Sequence, residues 1–304
     1  MKLQKQSNLV KGILCILAAA LSFSVMNVCV KLAGDLPSMQ KVFFRNLVAM
    51  FCSFIIIKKN GIEIKIEKGS RWLLLARCAF GIFGVVGNFY AVDHLNIADA
   101  SMLNKMSPFF AIVFSTVLLK EKVNFVQAIA VIGAFIGSLF VIKPTFANAE
   151  LFASLAGFVG GLGAGVAYTI VRMLKGRVNK TLIVFYFSVF SCIVALPFLI
   201  FDYRPMTFGQ TAALLGAGLA ACGGQFGITN AYTYAAARDI SIYDYSQIVF
   251  SAALGFIVFG QMPDGWSFLG YVIIIGMALM MFIYNKRRAN IENIALDAQK
   301  DTEK

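Results

Sequence analysis

The chain has 304 residues, of which 59% are apolar and only 14% charged, and its formal net charge is +12. Soluble domains carry about 25% charged and about 45–50% apolar residues, so repeated long apolar runs at this composition argue against a soluble fold and for a polytopic membrane protein. The basic residues are scattered between apolar runs with no soluble module to carry them, which speaks against a nucleic-acid partner.

A window near 19 residues predicts ten spans, at 12–33, 42–57, 72–91, 98–119, 124–142, 151–173, 181–201, 209–235, 240–260 and 266–285. Three lysines precede the first, as in a signal peptide. Its apolar run is longer than a signal core, however, and no cleavage box precedes more apolar sequence, so it reads as a span. Residues 1–11 then form a cytoplasmic N-terminus, 12–142 a first group of five spans, 151–285 a second, and 286–304 a polar cytoplasmic tail. Most of the 27 Lys and Arg residues fall on the side of the N-terminus, while the opposite loops hold Lys31, Lys41, Lys143 and Arg204. Short basic loops stay cytoplasmic, so both ends are expected inside. Pro37, Pro144, Pro205 and Pro263 fall in the opposite loops, where a missing N–H costs little.

Sliding the chain by 140 residues aligns 74–121 with 214–261 without a gap. It matches Leu74 with Leu214, Leu75 with Leu215, Gly84 with Gly224, Gly87 with Gly227, Ala91 with Ala231, Asp99 with Asp239, Ser101 with Ser241 and Phe110 with Phe250. A shift of 141 sets Lys31, closing the first span, against Arg172, closing the sixth. Five spans per half is an odd number, so the second half must enter the bilayer inverted, as in many secondary transporters. The expected fold is an all-α polytopic membrane protein of ten transmembrane helices in two inverted five-helix repeats.

Polar groups inside hydrocarbon need a partner or a watery cavity. Arg45 stands in "FFRNLVAMFCSFIII", about one turn from the end of its span; it either snorkels to headgroups or turns its fork of donors to a carboxylate or phosphate in a cavity. Lys105 lies deeper, in "NKMSP", where Pro108 cannot donate to the carbonyl of Asn104. This turn is either a packing kink or irregular backbone lining a site. Tyr243, Asp244 and Gln247 occupy the corresponding turn of the ninth span, which suggests one shared site near the midplane. "GNFYAVDH" and "GITNAYTYA" add Asn88, Tyr90, Asn230 and Tyr234, with Tyr232 and Tyr243 open to an alternative role in an interfacial belt. Tyr168 of the sixth span completes the substrate-binding candidates. Asp99, Asp239 and Glu121 are potential proton carriers, but lie near span ends, where a solvated carboxylate is expected. Gly157, Gly161 and Gly165 share one helix face, and Gly81, Gly84 and Gly87 recur every three residues, a pattern for close backbone packing.

All six cysteines fall in spans without a CxxC, His94 is the sole histidine, and no GxxxxGK[ST] loop occurs. No metal site, cofactor or ATP-driven step is expected.

Ten spans in two halves, "FFRNLVA", "ADASMLNKMSPFFAIVFSTVLLKEKV" and "SIYDYSQIVFSAALGFIVFGQMPD" together resemble the EamA-type branch of the drug/metabolite transporter superfamily over residues 11–285. Where that family carries an acidic residue after the ninth span this chain has Gln261, opposite Glu121. The resemblance implies a secondary transporter of a small metabolite, and "YSQ" with "FGQMPD" is similar to members that move S-adenosylmethionine or related compounds. The expected function is therefore alternating-access transport of a small polar metabolite, an amino acid or a nucleoside-containing compound, across a bacterial cytoplasmic (inner) membrane. Expected partners are that metabolite, the lipid bilayer, and a coupling ion or counter-substrate, with the chain a monomer or homodimer and no nucleic acid involved. A passive channel or a non-transporting membrane protein is the alternative, and a membrane enzyme ranks below both because no nucleophile and base stand together.

Overall fold

The computed structural model describes residues 2–120, 123–143, 150–174, 176–234 and 240–302. Glu121, Lys122, Pro144, Arg238 and Asp239 lie outside the described residues, as does any role assigned to them. The helices are α1 (Lys2–Leu32), α2 (Ser38–Lys59), α3 (Arg71–His94), α4 (Ile97–Asn104), α5 (Ser107–Leu118), α6 (Phe125–Ile142), α7 (Leu151–Leu174), α8 (Lys180–Phe201), α9 (Phe208–Tyr234), α10 (Ser246–Phe259) and α11 (Gly265–Thr302). Among the described residues they supply ten stretches long and apolar enough to cross a membrane, with α4 and α5 sharing the fourth.

Local chemistry accounts for several boundaries. At α6, Gln127 N–H donates to Asn124 Oδ1 (2.9 Å) and Asn124 N–H to Gln127 Oε1 (3.1 Å), a reciprocal cap that satisfies two otherwise orphaned donors. The α3 C-terminus is closed by Lys31, whose ammonium donates to the carbonyls of Val92 (3.0 Å) and Leu95 (2.5 Å).

The second and third spans are longer than expected. The second starts at Ser38 rather than 42, and the third runs to His94 rather than 91. Lys41, read from the sequence as a loop residue, is fully buried in α2 and paired with Asp93 of α3 at 2.5 Å. A hydropathy window ends a span at a charge because it cannot register that the charge has a partner.

Packing follows the internal repeat. If α1 corresponds to α7, α2 to α8, α3 to α9, the α4–α5 span to α10, and α6 to α11, exchanging the halves maps the main contacts onto one another. The α3–α7 contact becomes α9–α1, and α5–α7 becomes α10–α1, while α2–α8, α6–α11 and α4–α10 map onto themselves. This is the two-fold relation expected of inverted five-helix repeats.

Glycine permits the tightest of these contacts. A Cβ on Gly87 of α3 would lie 2.5 Å from the Ala156 carbonyl of α7, and one on Gly161 of α7 would lie 2.6 Å from the Leu103 carbonyl of α4. The "Gly157, Gly161, Gly165" face thus rests on the end of α3 and on the α4–α5 break, and a second face, Gly160 and Gly163, packs on α3.

Candidate functional site

The fourth span breaks where Pro108 removes a donor. Lys105 N–H closes α4 on the Ser101 carbonyl (3.0 Å), Met106 N–H turns back to Leu103 (3.1 Å), and α5 begins on the Met106 carbonyl. The corresponding part of the ninth span is a 3-10 turn, Ser241–Tyr245, ahead of α10. The two breaks meet. Lys105 Nζ pairs with Asp244 Oδ2 at 2.5 Å, and Tyr245 Oη donates to the Lys105 carbonyl at 3.4 Å. Under the 140-residue shift Asn104 matches Asp244 and Lys105 matches Tyr245, so one half supplies the base and the other the acid at equivalent turns. The second oxygen of Asp244 is buried without a hydrogen-bond partner.

Beside this pair a chain of neutral polar groups crosses between the halves. Asn88 Nδ2 approaches Asn27 Oδ1 (3.4 Å), Asn27 Nδ2 donates to Ser101 Oγ (3.1 Å), Ser101 Oγ meets Ser251 Oγ (2.8 Å), and Ser251 meets Ser24 (3.0 Å). Ser24 Oγ also donates to the Gln247 carbonyl at 3.0 Å. Of the candidates read from sequence, Asn88, Lys105 and Gln247 are gathered here, all buried, with Asn104 half-buried and Tyr243 exposed at the edge.

Arg45 lies elsewhere. With Arg77, Phe187, Ser188, Cys222 and Gln225 it lines a cavity of about 20 Å³ among α2, α3, α8 and α9, room for about one water. Arg45 is 5% exposed and donates from Nη1 to Asn46 Oδ1 (2.7 Å), while its Nε has no partner. Snorkelling to headgroups does not describe this side chain. The Arg77 guanidinium lies 4.2 Å over the Phe187 ring, and its Nε and Nη1 are buried without hydrogen bonds. The Ser188 and Ser191 hydroxyls of α8 are also without partners. Each central charge costs about 2.5–3.5 kcal/mol on insertion scales, and a buried donor left unsatisfied costs about 1–3 kcal/mol more.

Tyr168 of α7 lines a second cavity, of about 190 Å³, with Pro108, Ser115, Gln127, Thr169 and Arg172. Tyr168 is 52% exposed, yet it sits nine residues, or about two and a half turns, from the exposed Val159, on the opposite helix face. The exposure of Tyr168 is therefore to the cavity and not to lipid. The second cavity lies at the membrane face that carries the termini.

The structure does not bring the remaining candidates to either place. Tyr90 stacks on His94 (4.2 Å between centroids) and meets Phe152 edge-on (5.5 Å). Asn230 and Tyr234 are exposed and share a face of α9 with the exposed Leu219, since eleven residues make about three turns.

At the face opposite the termini, the halves are tied together. Tyr271 Oη donates to Asp99 Oδ1 (2.6 Å), Ile97 N–H donates to Gln261 Oε1 (3.2 Å), and Gln40 Nε2 donates to the Arg204 carbonyl (2.9 Å). Lys143 and Asp264 form an ion pair in the same layer. Asp99, expected to be solvated at a span end, is instead buried. The carbonyl of Gln261 caps α4, a role for which an amide oxygen suffices without charge. Tyr271→Phe should leave Asp99 a buried acceptor short of a donor and lower stability by about 1–3 kcal/mol, measured as a fall in Tm of the purified protein; an unchanged Tm would show that this latch carries no load.

Two residues at these places are not among the binding candidates read from sequence. Arg77 lies within a predicted span, as Arg45 and Lys105 do, but has no role assigned there, and Asp244 is named only as one polar group of a turn. The sole available signal for Arg77 was its position on the "RCAFG" segment, one turn before Gly81.

Among the described residues, ten membrane-length helices in two inverted halves, with buried cations and a broken helix pair between them, have the architecture of inverted-repeat membrane transport proteins. The sequence profile of the EamA-like transporter family matches residues 10–143 and again 151–283, and the chain belongs to that family. It is 31% identical over 266 residues to the pseudopaline exporter CntI of Pseudomonas aeruginosa, covering 87% of this chain and 93% of that protein. It is 27% identical over 297 residues to the riboflavin transporter of Vibrio cholerae, covering 94% and 97%. A crystal structure with a TM-score of 0.61 at 16% identity, spanning 91% of this chain and 98% of its own, shares the fold.

Proposed function

We propose that the protein is a secondary carrier that moves a small polar metabolite across a bacterial cytoplasmic membrane by alternating access, with both termini in the cytoplasm. The observation that carries this reading is a pair of cations, the buried Arg45 and the half-buried Arg77, on a cavity between the two halves, without an acidic partner among the described residues. The far face is tied shut and the larger cavity, lined by Tyr168, lies at the termini face, as expected of one state in a rocking cycle. The positive side of the loops supports the orientation. Relatives named as a pseudopaline exporter and as a riboflavin transporter support a small-molecule cargo.

The cavity favours anionic solutes over cationic ones. A positively charged sulfonium compound such as S-adenosylmethionine would meet two guanidiniums there.

Counterflow in proteoliposomes tests the reading. Labelled amino acids, riboflavin and small dicarboxylates are offered to vesicles loaded with the same solute unlabelled. A carrier gives saturable accumulation driven by exchange for at least one of them, and Arg45→Lys, with charge but no fork, impairs it while leaving insertion intact. Passage without trans-stimulation would indicate a channel instead, and wild-type transport by Arg45→Lys would remove Arg45 from the site.

A further inference from the structure

We propose that Arg45 and Arg77 form a site for a dicarboxylate, a small metabolite whose two acid groups are taken from opposite ends of the cavity. The proposal rests on the carrier reading only for how the ligand arrives and how the cavity widens around it.

The two arginines differ from other cations of the transmembrane region. Lys41 is paired with Asp93, Lys105 with Asp244, and Lys31 is spent on two carbonyls. Arg45 and Arg77 have no carboxylate within ion-pair distance among the described residues, and three of their buried nitrogens have no hydrogen-bond partner. Unpaired guanidinium forks at this depth are matched by carboxylates, which accept two parallel hydrogen bonds. The Ser188 hydroxyl, buried and without a partner on the same wall, offers a further donor.

Spacing favours two separate acid groups over one compact anion. Arg45 is seven residues from the far-face start of α2, and Arg77 is seventeen from the far-face end of α3. At 1.5 Å per residue the Cα atoms differ by about 15 Å in depth, so the side chains enter the cavity from either end. Between them Ala49, Val184 and Ala221 offer apolar wall for a short carbon chain.

The cavity also selects against an amino group, since among the described residues no Asp or Glu lines it to receive an ammonium. Gly81 makes the arrangement possible: a Cβ there would lie 2.5 Å from Arg77 Nη1 and 2.9 Å from the Phe187 ring. A ligand of this size exceeds the roughly one-water volume seen here. Its bound state is therefore wider, as opening of the halves would provide.

The test uses purified full-length protein with glutarate, butyrate, leucine and inorganic phosphate as probes. Glutarate should raise Tm, with butyrate, leucine and phosphate at the same concentration giving markedly smaller shifts. Arg45→Gln and Arg77→Gln should each weaken glutarate binding about tenfold or more. Should either glutamine variant fail to fold, the lysine variants replace it and should bind glutarate more weakly than wild type. Equal shifts with phosphate or leucine, no shift with glutarate, or unchanged glutarate affinity in folded variants would overturn the proposal. Counterflow separates it from the carrier reading. Glutarate binding without exchange of any solute keeps the site and rejects the carrier, whereas leucine exchange unaffected by glutarate keeps the carrier and rejects the site.

Discussion

Asp244→Asn is expected to destabilise the protein by about 3 kcal/mol, the lower end of the range for breaking a buried pair because Asp244 keeps some exposure. Its partner, Lys105, has a side chain only 8% exposed, and the substitution leaves that ammonium at membrane depth with an amide oxygen in place of a charge. The cost comes from the orphaned charge more than from the lost attraction. Removing the charge as well, in Asp244→Asn with Lys105→Met, should therefore recover most of the loss, since a hydrophobic replacement of a buried pair is often neutral or better. Tm values of the two variants in detergent decide the matter. A double variant no more stable than the single one would mean that the pair acts through something other than charge compensation, such as holding the α4–α5 break in register.

The second large effect has the opposite signature. Arg77→Gln and Arg45→Gln should leave stability within about 1 kcal/mol of wild type while each lowers glutarate counterflow about tenfold to a hundredfold, the equivalent of a charge-assisted hydrogen bond worth about 1.5–3 kcal/mol. Arg77 gives up its contact with Phe187, worth about 0.5–2 kcal/mol. Against this, the substitution relieves desolvated donors that nothing in the described residues satisfies. A residue kept for a ligand commonly costs stability in the ligand-free protein. If either substitution instead collapses the fold, the arginine also holds the α2–α3–α8 contact, and its part in transport is read from the lysine variant.

Much of the architecture was legible because it is written in composition and periodicity. Ten spans, their inversion and the break at "NKMSP" follow from hydropathy, parity and a single proline. The site was legible in one half of its chemistry. Arg45 and Lys105 stand out because a cation in an apolar run demands explanation, but a sequence does not show which cations are already neutralised. Lys105 meets an acid 139 positions away, Lys41 meets one 52 positions away, and Arg45 meets none among the described residues. The tyrosines were the least legible. Tyr90, Tyr168 and Tyr234 look alike in one dimension, and only the helix face decides that Tyr168 addresses the second cavity while Tyr90 packs on His94 and Tyr234 shares the face of Leu219.

The repeat also explains an asymmetry. The scaffold obeys the two-fold relation, yet the shifts that align the halves set Arg45 against Phe185 or Tyr186 and Arg77 against Ala217 or Gly218. Two equivalent halves suffice for rocking, since each state exchanges the packing of one for the other. A binding site carries no such requirement, and the one proposed here draws its charge from the first half alone.

Cys222 lines the arginine cavity, so a variant retaining it as the sole cysteine reports directly on access. A membrane-impermeant maleimide is applied to sealed vesicles from each side in turn. Alternating access predicts that Cys222 is modified from both sides and that glutarate slows the reaction. Modification from one side only, or from neither, would contradict a site shared between two mouths.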